Sequence, residues 1–282
     1  MNVLLFGANG QLGADIVRLW NDPQIQLAGV TRADADVIDA PAVEQLVQQY
    51  RPGVIINTTA FHNLPVCETD PETCFRVNVV GGRNVASAAA RVDATVVQIS
   101  TDYVFDGAKR TPYLERDARA ALNVYGTMKI ATEDIVRQAN PRALIVRVSG
   151  LYGLAGSAGK GGNFVETMLR LAREGNPIRV VADQVTAPTN TAEIAEALLP
   201  LVRDGVQGTV HLAAAEGTSW HDFAAAIFSI AGLTPELIPV TTAEFGGPVR
   251  RPAYSVLGTS VAPPLRHWRA GLERYLREKH GL

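Results

Sequence analysis

The 282-residue chain is 47% hydrophobic with a formal net charge of −2. That is enough apolar material for a sizeable core, with no global attraction for nucleic acid or anionic membrane. Cys67 and Cys74 fit neither a disulfide framework nor a zinc signature, and the five histidines are dispersed without a metal-ligand pattern. No apolar run reaches the roughly 18 residues of a membrane span, and Met1-Asn2 leads straight into Val3-Leu4-Leu5-Phe6 without a basic leader. The expectation is a cytoplasmic protein that binds no metal, nucleic acid or membrane.

In chain order, Val3–Phe6 reads as a strand, followed by a glycine-rich turn and a helix through about Trp20. Gln26–Val30 reads as a second strand. Ala40–Tyr50 reads as a helix with Asp39 as its N-cap and Pro41 in its first turn. Val54–Asn57 is a short buried-type strand, Pro71–Arg91 one long helix, Ala94–Ser100 a strand, Tyr125–Ala139 a helix and Leu144–Val148 a strand. This alternation predicts an α/β fold, a doubly wound parallel sheet with helices on both faces. Beyond it, Ala155–Asn163 is a glycine-rich loop and Phe164–Glu174 a helix. Ile178–Val181 reads as a strand, Thr191–Arg203 as a helix packing back on the sheet, and Val210–Ala213 as a further strand. From Ser219 onward a small helical cap is expected, built from His221–Ala231 and Pro264–Lys279.

The turn after the first strand is Gly7-Ala8-Asn9-Gly10-Gln11-Leu12-Gly13. Glycines at this spacing let the backbone approach a pyrophosphate, and the helix that follows aims its free N–H groups at the anion. Position by position, Gly7, Gly10, Gln11, Leu12 and Gly13 are candidate dinucleotide contacts. After the second strand, an acidic residue would accept the ribose hydroxyls of NAD. The sequence has Thr31-Arg32 instead, and Arg32 suits the 2′-phosphate of NADP. NADP is therefore preferred and NAD remains admissible, since Asp34 and Asp36 lie close by.

Tyr125 and Lys129 stand at i and i+4 and share one helix face. A neighbouring ammonium stabilises a phenolate, so the expectation is that Lys129 draws the Tyr125 pKa down toward the working range. Thr101 closes a strand at the carboxyl edge, where parallel sheets place ligands, and could donate a hydrogen bond to a substrate carbonyl. Asn78 is a candidate for anchoring backbone or water near Lys129. Loop, strand end and helical pair together point to carbonyl reduction by a nicotinamide dinucleotide.

The strings FGANGQLG, STDYVFDG, YGTMK and VRVSGLYG resemble the dTDP-4-dehydrorhamnose reductases, extended short-chain dehydrogenase/reductases. The likeness continues through NFVETMLRLA, VVADQVTAPTNTAEIAEAL, RPAYSVLGTS and WRAGLERYL, so it covers nearly the whole chain. It implies a Rossmann domain over 1–150 with 186–215 packed back on it, and a substrate domain over 151–185 and 216–282. It implies reduction of the C4 ketone of dTDP-4-dehydro-L-rhamnose, with Thr101, Tyr125 and Lys129 catalytic. Thr59 and Ala60 join the glycine loop around the cofactor, and Tyr103 stands at the boundary between cofactor and substrate. Asn163, Lys160 and Arg250 are the further substrate contacts expected, Lys160 and Arg250 toward phosphates. Many relatives are homodimers, and a monomer is equally compatible with this sequence.

Gly150 stands where well-known members of that family carry a tryptophan over the sugar, which widens the pocket and bears on which sugar is taken. A 4,6-dehydratase needs two carboxylates after the threonine, and here Thr101-Asp102 is followed by Tyr103. A 4-epimerase shares the Tyr/Lys machinery, and a non-catalytic dinucleotide-binding subunit shares the fold. Gly153 to Gly159-Lys160 is one residue too long for a P-loop, and Gly161 occupies the position of the magnesium-binding hydroxyl.

Overall fold

A computed structural model of the chain describes residues 1–156 and 162–282. In the first part β1 (Asn2–Phe6), α1 (Gln11–Leu19), β2 (Gln26–Val30), α2 (Ala40–Tyr50) and β3 (Val54–Asn57) alternate, followed by α3 (Leu64–Thr69), α4 (Pro71–Phe75) and α5 (Gly81–Arg91). Then come β4 (Thr95–Thr101), α6 (Val124–Ala139), β5 (Leu144–Val148), β6 (Leu151–Tyr152), α7 (Phe164–Glu174), β7 (Ile178–Val181), β8 (Val185–Thr186), β9 (Thr189–Asn190) and α8 (Thr191–Arg203). The chain ends with β10 (Gly208–His211), β11 (Thr218–Ser219), α9 (Trp220–Ala231), β12 (Leu237–Val240), α10 (Thr242–Phe245) and α11 (Trp268–His280).

Six parallel strands form the main sheet in the order β10-β5-β4-β3-β1-β2. All residues of β3 and β5 are buried, as expected for strands covered on both faces. The period of two divides β1 cleanly. Val3 and Leu5 pack with Ile16 of α1 and Leu198 and Val202 of α8, while Leu4 and Phe6 pack with Val43 and Val47 of α2 and Val85 of α5. Each such side chain contributes roughly 1.5–3 kcal/mol by leaving water. Asp39 caps α2 through Ala42 N, with proline in the first turn. Every strand of this sheet runs with its carboxyl end toward the same edge, and the glycine loop and Thr101 both lie there.

Three expectations change. The helix predicted over 71–91 is broken by a π-helical turn, Arg76–Val80. Its wider turn carries Asn78, whose amide donates to Phe61 O (3.0 Å) and Cys74 O (2.9 Å) and accepts from Phe61 N (3.2 Å). Asn78 thus anchors backbone, tying the segment that follows β3 to this helix. Second, the carboxyl-terminal cap is not purely helical: β12 pairs in parallel with β7, and β11 pairs antiparallel with β8. Third, the last helix starts at Trp268, capped by His267, not at Pro264.

A further apolar cluster gathers Tyr152, Val165, Met168, Ile178, Phe223, Ile227 and Leu276 from segments far apart in the chain. Among the described residues no helix is long and apolar enough to cross a membrane.

Candidate active site

The glycine loop is shaped by close contacts. Gly7 has φ +82°, and a Cβ on it would lie 2.5 Å from Thr58 Oγ1. A Cβ on Gly13 would lie 2.1 Å from Gly7 O, so only glycine lets α1 start this close to the turn. The N-cap, Gly10, contributes no side-chain hydrogen bond, and no acidic residue occupies the first turn of α1. The first-turn N–H groups therefore face outward with positive polarity, which fits a pyrophosphate. Gln11 and Leu12 belong to this turn by backbone. The Leu12 side chain is in the core beneath, and Gln11 Oε1 accepts from Gly153 N at 3.2 Å.

Thr59 is held against the loop by Asn57, whose Oδ1 accepts from Thr59 Oγ1 at 2.6 Å. Ala60 follows it into the stretch tied by Asn78. Arg32, at the end of β2, is highly exposed (82% for the side chain) and pairs with Asp36 at 2.9 Å.

Asn123 caps α6 by accepting from Gly126 N at 2.8 Å. A Cβ on Gly126 would lie 2.2 Å from Tyr103 O, so the first turn of α6 lies directly on the turn that follows β4. That contact brings Tyr125 beside Thr101 and Tyr103, and the two tyrosine rings meet edge-on at 6.3 Å. Lys129, one turn further and 2% exposed, donates from Nζ to Ile99 O at 2.6 Å.

The electrostatics differ from the sequence expectation. Desolvation pushes the Tyr125 phenol well above its ordinary value, and the Asp102 carboxylate pushes it further. The Lys129 ammonium, turned to the Ile99 carbonyl, does not offset this push in the resting protein. Burial pulls Lys129 itself down to about 8, against the opposing pull of Glu133. Tyr125 is thus held as a protonated phenol, the form that donates a proton, and Lys129 as a buried amine near its titration point.

Behind this pair, α6 carries Glu133, which is 0% exposed. It accepts from Ser100 Oγ (2.6 Å), from Arg147 Nε and Nη2 (2.8 Å each) and from Arg119 Nη1 (3.1 Å). Arg147 and the serine set its carboxyl below the ordinary range in spite of burial.

The residues expected to meet the substrate have distinct surroundings. Tyr103 is pushed up to about 12 by burial and the neighbouring Asp102, with the positive charge of Arg251 opposing. Arg251, not Arg250, is thus the arginine that meets a tyrosine of the site. Arg250 has an exposed side chain, and its carbonyl accepts from Asn123 Nδ2 at 2.8 Å. Asn163 caps α7, and its amide also donates to Gly153 O (3.2 Å) and Tyr275 Oη (3.1 Å), so its polar atoms are engaged within the protein. Lys160 lies outside the described residues. Gly150 has φ +54°, and a Cβ there would stand 3.0 Å from Pro188 Cα, so a side chain at this position needs that proline to shift. Among the described residues no three His, Cys, Asp or Glu side chains converge as a metal site.

Asp102 and Glu133 escaped the sequence reasoning. Glu133 continues the i, i+4 row of Tyr125 and Lys129, a signal that was available. The partners of Asp102 come from distant segments and left no local pattern.

Comparison with known proteins gives a coherent result. The family described as the RmlD substrate binding domain matches residues 1–280. The spore coat polysaccharide biosynthesis protein SpsK of Bacillus subtilis is 36% identical, covering 98% of this chain and 97% of that protein. The dTDP-4-dehydrorhamnose reductase of Escherichia coli K12 is 36% identical, over 99% and 98%. The crystal structure of dTDP-4-dehydrorhamnose reductase from Bacillus anthracis, solved in complex with NADP, superposes with a TM-score of 0.93 at 36% identity, covering 98% of this chain and 99% of that one.

Proposed function

Because the chain belongs to the dTDP-4-dehydrorhamnose reductase family, we propose that it reduces the C4 ketone of a dTDP-linked 4-keto-6-deoxy sugar, dTDP-4-dehydro-L-rhamnose first, with NADPH as the reductant. The observation that carries this reading is the convergence of Thr101, Tyr125 and Lys129 at the carboxyl edge of the sheet that also bears the glycine loop. In this reading residues 1–150 and 186–215 hold the dinucleotide, and 151–185 with 216–282 hold the sugar nucleotide. A substrate and cofactor of this class fit a cytoplasmic setting.

The loop Gly7–Gly13 would hold the pyrophosphate against the start of α1, with Thr59 and Ala60 lining the cofactor and Arg32 reaching a 2′-phosphate by exchanging its contact with Asp36. When bound, NADPH supplies a hydride to the sugar carbon. The protein handles the oxygen. Tyr125, kept protonated by its buried setting, donates its proton as negative charge develops there, and the Thr101 hydroxyl turns to the same oxygen. Lys129 contributes positive charge beneath Tyr125 that stabilises the phenolate left behind. Burial excludes water, so each of these interactions is stronger than it would be in solvent.

The test is NADPH oxidation followed by absorbance with dTDP-, UDP- and GDP-linked 4-keto sugars. One NADPH consumed per product, with the dTDP sugar preferred, is the expected outcome. Product formation without stoichiometric oxidation of NADPH would replace reduction by epimerisation. NADPH binding without turnover of any of these ketones would remove the enzymatic reading altogether.

A further inference from the structure

Asp102 follows Thr101 at the end of β4 and is 3% exposed. Its Oδ1 accepts from Thr101 Oγ1 at 3.0 Å. Its Oδ2 accepts from Ser149 Oγ at 3.0 Å and from Ser255 Oγ at 2.6 Å. Thr186 Oγ1 closes the group, 2.8 Å from Ser149 Oγ and 3.3 Å from Ser255 Oγ. Four hydroxyls from four segments surround one carboxylate, and among the described residues no ion pair includes it.

The arrangement matters because a threonine hydroxyl has one proton to give. In this structure the Thr101 proton goes to Asp102, and the Thr101 oxygen accepts from Tyr103 N at 3.2 Å, with Tyr125 alongside. The opposite oxygen of Asp102 holds Ser255, whose own backbone N–H is bonded to Val185 O at 2.8 Å. Ser149 directly precedes Gly150. Asp102 is therefore the point at which the Ser255 segment, assigned to the sugar nucleotide, meets the hydroxyl assigned to the reacting oxygen.

We propose that Asp102 is a positioning residue of the reductase: by accepting Thr101 on one oxygen and Ser149 and Ser255 on the other, its carboxylate ties the direction of the Thr101 hydroxyl to the seating of the Ser255 segment. The inference rests on the reductase reading, since Thr101 matters only if a carbonyl oxygen reacts beside it. Three donors aimed at one carboxylate match its ionised, acceptor-only form. Protonation would give it an O–H of its own and displace one of the hydroxyls.

Burial pushes this carboxyl above the ordinary range, and the hydrogen bonds from Ser255, Thr101 and Ser149 oppose that push, Ser255 foremost. The ionisable groups facing it are Tyr125 from α6 and the adjacent Tyr103, both held protonated, with Arg251 in contact with Tyr103. The ionised clamp is therefore lost as pH falls through a pKa above the usual carboxylate window, which gives kcat an acid limb.

The experiment measures kcat, the KM for the sugar nucleotide and the NADPH dissociation constant for the full-length wild type, Asp102→Asn and Ser255→Ala, from about pH 5 to about pH 8. Asp102→Asn is expected to lower kcat about tenfold or more, because misdirecting one hydroxyl costs orientation. It should abolish the acid limb and leave NADPH binding within about twofold of wild type. Ser255→Ala removes the foremost opposing hydrogen bond, so its acid limb should move to higher pH, which loss of packing alone would not cause. Wild-type kcat and an intact acid limb in Asp102→Asn overturn the proposal. If that variant does not fold, an unmoved limb in Ser255→Ala overturns it equally. A wild type that oxidises no NADPH with any 4-keto sugar would instead defeat the reductase reading and this inference with it.

Discussion

Two buried carboxylates flank the end of β4, and their surroundings set them apart. Glu133 is met by Arg147, Arg119 and Ser100, and its carboxyl lies below the ordinary range. Asp102 is met by hydroxyls alone, and its carboxyl lies above it. Both are desolvated, so the sign is decided by whether a cation answers the charge. An arginine-locked carboxylate stays charged well below the ordinary carboxylate range and holds β5 to α6 there. A hydroxyl-bound carboxylate holds its proton more readily than an ordinary one, and it sits where the chemistry is assigned. The contrast separates a carboxylate locked in ion pairs from one held by hydroxyls alone.

The largest effect should come from the structural side. Arg147→Met leaves Glu133 buried without its bidentate partner and should cost about 3–5 kcal/mol of stability, read by urea unfolding. Asp102→Asn, which deletes a charge that no cation answers, should cost far less or stabilise. Equal losses would erase the distinction. The pH dependence of stability should also run in opposite senses. The lowered Glu133 carboxyl contributes stability above its unfolded value that is lost as pH falls through its folded value, whereas the raised Asp102 carboxyl favours folding in its protonated form and costs stability as pH rises.

Next in size, Tyr125→Phe should reduce kcat by about a hundredfold or more with NADPH affinity nearly intact, since it removes the proton donor and little else. Near-normal turnover in that variant would remove Tyr125 from the mechanism and break the functional half of the comparison. A smaller effect sharpens the boundary. Lys129, pulled down to about 8, is charged below that value, so kcat/KM should fall as pH rises past about 8. Glu133 opposes that downward pull, so Glu133→Gln should move this basic limb to lower pH. An unmoved limb would confine Glu133 to its structural task.

Much of the site was legible because its signals are local. The glycine turn follows β1 directly, Tyr125 and Lys129 lie one helical turn apart, and Thr101 ends a strand of an alternating chain. Where the reading fell short, the deciding partner lay elsewhere in the chain. Asn78 widens its helix because its amide reaches the Phe61 backbone 17 residues away. Leu237–Val240 becomes a strand because Ile178–Val181 offers it an edge. Which of the adjacent Arg250 and Arg251 stands near Tyr103 is decided by packing, and composition does not distinguish them.

The sequence by itself determined the α/β alternation, the dinucleotide loop and the pair Tyr125 and Lys129, because short-range periodicity and glycine sterics act within a few residues. Only the tertiary structure decided that Lys129 faces the Ile99 carbonyl and that Asp102 gathers Thr101, Ser149 and Ser255, the last 153 residues away. The physical reason is that a proton affinity depends on what desolvates a group and what donates to it. For these buried groups much of that surrounding is supplied by segments that meet only when the sheet and its distant loops have closed around them.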